Sequence, residues 1–296
     1  MSRMRSNTYY LIARRLGQVI IHLILAALSL TCVLPLLLIV AASFSDELDI
    51  AKYGYSLIPR HFTAFAYTYI LKVPAQIIRA YGVTTFVTIV GTGLGLFLMA
   101  LLAYVLSRYD FPWRKSLSFY VFFTMLFNGG FVPWYIWMTQ GLHLKNTVWA
   151  LILPYLIVPW FVLLLRTYFA QLPNELLDAA RIDGAGEWRT FFQMVIPMST
   201  PSLATVGLFC ILMYWNDWYL ALLYIDSQNL HPLQYMLYNI LMNARAVQAQ
   251  PQTTGIRLPI ATVRMAMSVL ATGPAALVFL LLQRYFIRGI TVGALK

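Results

Sequence analysis

Apolar residues run along this chain in long blocks. Stretches near residues 18–44, 80–106, 116–139, 147–169, 202–225 and 263–287 carry very little charge. Each is long enough, as a helix, to cross ~30 Å of hydrocarbon. In lipid only helices and closed barrels satisfy their own backbone, and barrel strands alternate apolar with polar positions. These runs do not alternate. The pattern predicts an all-α, polytopic membrane protein with about six transmembrane helices. One interval departs from it. NELLDAARIDGAGEWRTFFQMVIP, residues 174–197, places Glu175, Asp178, Arg181, Asp183, Glu187 and Arg189 between two apolar runs. It reads as a water-facing helix, a turn and a second short helix.

Composition agrees with the pattern: 60% of residues are hydrophobic and 10% charged, with a mean hydropathy of +0.71. The net charge of +11 does not indicate nucleic acid, because no basic-aromatic cluster or nucleic-acid motif accompanies it. Basic residues flank membrane helices on the cytoplasmic side. Thirteen of the 21 lysines and arginines lie in the N-terminal segment, the 107–115 turn, the 166–201 loop, the end of the last span and the tail. That bias predicts both termini in the cytoplasm. The predicted organisation is a cytoplasmic N-terminal segment (1–17), a six-span domain (18–287) and a cytoplasmic tail (288–296). Within the domain, 170–201 faces the cytoplasm and 45–79 and 226–262 face outward. Arg3, Arg5, Arg14 and Arg15 with VAAS at 40–43 imitate a signal peptide, but the apolar stretch exceeds a 7–15-residue core, so an uncleaved first span is expected. Cys32 and Cys210 sit in apolar runs and read as small hydrophobes. No zinc spacing or HExxH occurs.

Within the loop, Leu172-Pro173 ends the preceding pattern, and Asn174 is the expected N-cap. Glu175 and Asp178 suit a helix N-terminus. Ala179 and Ala180 allow another surface to approach. Gly184 and Gly186 break the helix, and Ala185 lies between them. Trp188, Phe191 and Phe192 are expected to be buried, and Pro197 and Pro201 mark the return to the membrane. These features alone fit either a solvated surface loop or a docking element.

The register of the loop resembles a known family. Asp178-Ala179-Ala180, three residues, Gly184, nine residues and Met194-Val195-Ile196-Pro197 are similar to the Glu-Ala-Ala…Gly…Ile-x-Leu-Pro pattern of permease subunits of binding-protein-dependent ABC importers. Asp, Met and Ile replace the pattern's Glu, Ile and Leu. Residues 129–154, 214–225 and 283–296 resemble the carbohydrate-importing, maltose-permease-like branch. Gly129-Gly130-x-x-Pro133-x-Tyr135 resembles a subgroup for complex oligosaccharides, some of whose members import uronide-containing sugars, including alginate fragments. The resemblance implies a transport subunit, not an enzyme. Its partners would be a second, related permease subunit, two ATPase subunits that hold ATP and Mg, an extracytoplasmic solute-binding protein, the oligosaccharide and the lipid bilayer. It also implies ATPase coupling through Glu175, Asp178, Ala179, Ala180, Asp183, Gly184, Ala185 and Pro197.

This chain has no GxxxxGK[ST] of its own. GTGLG at 91–95 lies in a span, and Gly91 with Gly95 reads as a helix-packing face. For the substrate path the candidates are Tyr135, Trp137, Trp160, Trp215, Asn216, Asp217 and Tyr219. Asp217 is an acid at membrane depth, so it either pairs with a polar neighbour or lines a wet cavity. The aromatics suit either stacking on sugar rings or packing. Lys72, Arg79, Arg245, Arg257 and Arg264 in the outward segments suit an acidic oligosaccharide, an acidic binding protein or lipid headgroups. Leu233–Ala246 has helical spacing. An ion-driven transporter, which would show inverted repeats and more buried acids, and an ABC permease for a non-sugar solute are the alternatives.

Overall fold

The computed structural model describes residues 2–72, 74–249 and 260–294. Their regular structure is helical, with one isolated bridge between Ser45 and Phe62. The chain divides into two compact units, one of residues up to 72 with 248–270, the other of 73–247 with 271 onward.

The first unit holds α1 (Ser2–Ser43), α2 (Glu47–Tyr53), α3 (Phe65–Ile70) and the start of α15 (Ile260–Ala294). The apolar side chains of α1 from Leu16 to Leu36 are exposed, as a helix surface meant for lipid or another subunit would be. The segment that follows α1 is built by capping. Asp46 accepts the Leu48 N–H at 2.8 Å and starts α2, and Gly54 ends it at φ +78°. Glu47 then reaches across the sequence. Its carboxylate accepts the backbone N–H groups of Ala261 (3.0 Å) and Thr262 (2.9 Å) and the Thr262 hydroxyl (2.9 Å). It therefore satisfies orphan donors in the first turn of α15 with a negative charge at the positive end of the helix. This contact joins the two segments expected to face outward.

In the second unit, α4 (Pro74–Ser107) is the central rod, packed against α8 (Pro159–Phe169) and α12 (Thr200–Trp215). The glycine pair explains the closeness. A Cβ on Gly91 would lie 2.5 Å from the Tyr214 ring, and one on Gly95 would lie 2.9 Å from the Leu156 carbonyl. The expected packing face is present, and it meets a side chain and a loop backbone. Met99, Ala103, Leu106, Val162, Leu165, Val206 and Cys210 form the core on one half of the rod, and Val87, Ala150, Ile152 and Ala221 on the other.

Among the described residues, only α1, α4 and α15 are single long apolar helices. The third, fourth and fifth expected spans are broken. α5 (Arg114–Leu126) and α6 (Phe131–Ile136), continued by a π-turn to Gly141, meet at 108°. Asn128, Gly129 and Gly130 lie between them, and Gly130 takes φ +94°, which favours glycine. α7 (Trp149–Ile152), with a following 3₁₀ turn to Tyr155, meets α8 at 49°. Pro159, at the first turn of α8, cannot continue the preceding hydrogen-bond ladder. The run expected to span 202–225 stops at Trp215 and resumes as α13 (Tyr219–Tyr224). Apolar periodicity is blind to such breaks, because residues on either side of them remain apolar. α14 (Leu233–Ala249) confirms the expected helix in the second outward segment. Arg257 lies outside the described residues.

Candidate functional site

The loop helix α9 runs from Asn174 to Ile182. Its cap is Pro173, not Asn174. Pro173 sits at φ −58°, ψ 123°, and its missing N–H costs nothing at a helix start. The C-terminus closes as the sequence suggested, and with a defined geometry. Gly184, at φ +75°, donates to Arg181 O (3.0 Å), and Ala185 donates to Ala180 O (2.9 Å). This is the 5→2 and 6→1 pair of a Schellman motif. Asp183 is the residue at the cap. The second helix begins at Glu187 as α10 (Glu187–Thr190), passes through a π-turn at Phe191–Val195 and ends in α11 (Ile196–Met198), which holds Pro197.

α9 has three faces. Leu177 and Ala180 are buried, and Leu177 joins the core around Tyr104, Val121, Leu165 and Phe169. Ala180 is therefore an inward residue of the loop, whereas Ala179 is exposed. One flank is polar. Asp178 accepts the Tyr109 hydroxyl at 3.2 Å. Arg181 donates from Nη2 to Asp110 Oδ2 (2.5 Å) and to Glu187 Oε1 (2.9 Å). Arg108, 6% exposed, pairs with Asp110 (3.2 Å) and lies 3.8 Å from Glu187, and the Tyr104 hydroxyl donates to Glu187 at 2.5 Å. Burial opposes ionisation of Asp110, but hydrogen bonds from Arg181 and Arg108 outweigh it and hold the carboxyl below the usual carboxylate range. The third face is a stripe of Glu175, Ala179 and Ile182, at i, i+4 and i+7. All three are exposed, Ile182 by 87%.

Two expected burials did not occur. Phe191 is buried, but Trp188 (64% exposed) and Phe192 stand out from the surface, stacked on each other at 6.0 Å. The reason is helical phase: only Phe191 of the three turns toward the core, where it meets Tyr104. Beside them an open groove of ≈ 280 Å³ runs between α9 and the second helix, lined by Leu176, Ala179, Asp183, Arg189 and Met194 among others.

The residues considered for a substrate path lie on several elements. Trp215 is buried (8% exposed) and donates from Nε1 to Ala271 O at 2.9 Å. Asp217 accepts the Tyr155 hydroxyl (3.0 Å) and the Leu220 N–H (3.1 Å), so it caps α13 as well as pairing with a polar neighbour. Asn216 donates to Leu212 O (2.8 Å) and accepts from Gln234 (3.2 Å). Tyr135 stacks on Tyr224 at 5.7 Å. Trp137 lies over Gly141, whose Cβ would be 2.6 Å from its ring. Trp137, Trp160 and Tyr219 are exposed. Of the outward basic residues, Arg79 donates to Asn229 and Arg264 to the Tyr55 hydroxyl. The residues that sequence reading passed over are Ile182, Tyr104, Tyr109 and Asp110. A signal for Ile182 was present: it lies off the Leu177–Ala180 stripe and in phase with Glu175.

A bundle of long and broken apolar helices with a charged, Schellman-closed helix projecting from it defines a membrane permease. The profile of the family described as "binding-protein-dependent transport system inner membrane component" matches residues 10–292. The chain belongs to this family and is a multi-pass protein of the inner membrane. It is 36% identical over 284 residues to YtcP of Bacillus subtilis, a polygalacturonan/rhamnogalacturonan transport system permease protein, covering 95% of this chain and 99% of that one. It is 31% identical over 275 residues to the arabinooligosaccharides transport system permease protein AraQ of Halalkalibacterium halodurans, covering 92% and 94%. Among solved structures, a chain of a bacterial ABC transporter involved in the import of the acidic polysaccharide alginate superposes with a TM-score of 0.79 at 25% identity, covering 92% of this chain and 97% of that chain. Family membership replaces the ion-driven alternative.

Proposed function

We propose that this chain is one of two membrane-spanning subunits of an ATP-driven importer of acidic oligosaccharides, and that the 174–197 loop is its contact with an ATPase subunit. The carrying observation is the division of α9 into faces. The inner face is packed, the flank is hydrogen-bonded, and the stripe of Glu175, Ala179 and Ile182 faces water with an apolar residue almost fully exposed. Isolated exposed apolar residues are ordinary, but one on a rigidly closed helix, beside the exposed Trp188 and an open groove, fits a docking surface. Asp183, Gly184 and Ala185 supply the turn that holds the stripe in place, and Pro197 leads the chain back to the membrane.

On this reading both termini and the 170–201 loop are cytoplasmic, and 45–79 and 226–262 face outward. Two ATPase subunits hold ATP and Mg²⁺. A second, related permease chain completes the path, and a solute-binding protein delivers the sugar. Closure of the ATPases on nucleotide acts through the differential affinity of the loop for their two states. Support for an acidic cargo comes from two relatives of different kinds: one is named for polygalacturonan transport, the other for import of alginate. Exposed Trp137, Trp160 and Tyr219 are the residues free to meet sugar. Tyr135, Trp215, Asn216 and Asp217 shape the path from behind.

The test is purification of the complex from its own operon, followed by ATPase assays in proteoliposomes with its binding protein. Two ATPase copies, a second permease and stimulation by trigalacturonate or an alginate trimer, but not by maltotriose, are expected. Stimulation by maltotriose alone would remove the acidic cargo. Absence of ATPase subunits would remove the importer.

A further inference from the structure

The polar flank of α9 makes its hydrogen bonds to its own chain. Its partners are Tyr109 and Asp110, in the turn that follows α4, and Glu187 of α10. Tyr104, near the end of α4, and Arg108, just past it, meet the same Glu187. Arg181 and Arg108 share the same two carboxylates, Asp110 and Glu187. Two cations are thus held between two anions. One cation is buried, with its Nη1 unpartnered, so loss of either carboxylate would leave a charge uncompensated. The cluster is made of interactions between segments 71 and 83 residues apart in sequence. It is therefore a clamp between elements, beyond what a helix needs to cap itself.

The far end of α4 carries a second set of ties. Thr84 Oγ1 accepts the Leu233 N–H at 2.8 Å, and Arg79 donates to Asn229. Thr84 and Leu233 are both buried. Both sets sit on one unbroken helix of 34 residues, roughly 50 Å long at 1.5 Å per residue, with Gly91 and Gly95 between them pressed against Tyr214 and Leu156. The helices packed against it, α8 and α12, belong to bent pairs, so α4 is the rigid element that reaches from the loop to the segment holding Leu233. A contiguous rigid element tied at both ends is a physical route for displacement.

We propose that Arg181 is a positioning residue for coupling: by holding Asp110 and Glu187 together it fastens the docking loop to α4, so that movement of the loop becomes movement of α4 and of the outward segment tied to its other end. This rests on the importer reading of the loop.

The clamp predicts a separation of two quantities that a purely structural role would lower together. In Arg181→Gln the stripe of Glu175, Ala179 and Ile182 is untouched, so ATPase subunits should co-purify in wild-type amount and hydrolyse ATP. Trigalacturonate taken up per ATP hydrolysed should fall by at least about fivefold, the lower range of a site-to-site coupling. Arg181→Lys, which keeps a cation, should recover most of that ratio. A wild-type uptake ratio in Arg181→Gln would overturn the inference, as would loss of bound ATPase in proportion to lost uptake, since Arg181 would then be a docking or folding residue. Should Arg181→Gln fail to reach the membrane, Asp110→Asn, which keeps the side chain's size, is read in the same assay with the same two outcomes. A wild-type complex that contains no ATPase fails earlier and for a different reason, because it removes the importer reading itself.

Discussion

Two regions of this chain put polar residues where apolar ones dominate: the loop at 174–198 and the break at 216–218. They look alike in sequence and differ in what their polar groups do. At the break each group is consumed internally. Asp217 holds Tyr155 and Leu220, Asn216 holds Leu212 and Gln234, and neighbouring Trp215 reaches Ala271. In the loop one flank is consumed in the same way, but a full helical stripe is left facing water. Polar satisfaction at membrane depth is required to avoid a cost of several kcal/mol per group. A stripe left open at the membrane edge has no such requirement and is available to a partner. The same residue types therefore serve stability in one place and are left facing water in the other.

The sharpest way to break this contrast is to disturb the packing that supports the break. Gly91→Val places a branched side chain 2.5 Å from the Tyr214 ring, and Tyr214 is fixed by its hydroxyl on Ile152 O. A loss of about 3 kcal/mol is expected, seen as a lowered unfolding temperature in detergent. Asp217→Ala comes next. It strands the Tyr155 hydroxyl and the Leu220 N–H, at about 2 kcal/mol, whereas Asp217→Asn keeps one acceptor oxygen for the Leu220 N–H and can donate its amide to the Tyr155 hydroxyl, and should lose less. Unchanged unfolding with lost transport in Asp217→Asn would move this residue into the path and erase the contrast.

In the loop, effects on stability should be smaller and effects on function larger. Gly184→Val forces a branched residue to φ +75° with nothing within 4 Å to clash. It should cost about 1–2 kcal/mol from backbone strain and uncouple transport. Gly184→Asn, which tolerates that region, should behave nearly as wild type. Ile182→Glu should change stability by less than about 0.5 kcal/mol, as surface substitutions do, yet remove ATPase co-purification. Retained ATPase there would sink the docking stripe.

The smallest effect concerns pH. Asp110 has a folded pKa below its ordinary value of 3.8. Its contribution is therefore fully present above that value and is lost as pH falls through the depressed one. The fluorescence of Trp188, exposed on the same loop, should be flat from pH 8 to about pH 5 and change only below about pH 4. A change near pH 6 would point to a different group.

Much of the fold was legible, and the illegible part has a physical pattern. Asp178-Ala179-Ala180, Gly184 and Pro197 could be placed in register because turns and caps are local, and their chemistry is written in adjacent residues. Gly91 and Gly95 could be read as a packing face for the same reason, although only the fold shows that Tyr214 and Leu156 are what they receive. The bends at 127–130, 156–158 and 216–218 were hidden inside apolar runs. Asn174 was mistaken for the cap because a cap preference cannot say which of two neighbouring residues leaves helical φ/ψ.

The sequence by itself determined the class: long apolar runs allow only helices in lipid, and the loop's spacing fixed its helix, its turn and its family. Tertiary structure alone decided how those residues divide their work. Arg108 and Asp110 are two charges in a turn until α9 folds against them. Asp178 becomes an internal acceptor only when Tyr109 arrives. Ile182 becomes the exposed edge of a helix only because Leu177 and Ala180 are drawn into the core. Helix formation is governed by near neighbours, whereas burial and ion pairing are governed by residues 70 or 80 positions away, brought together by packing that no local pattern encodes.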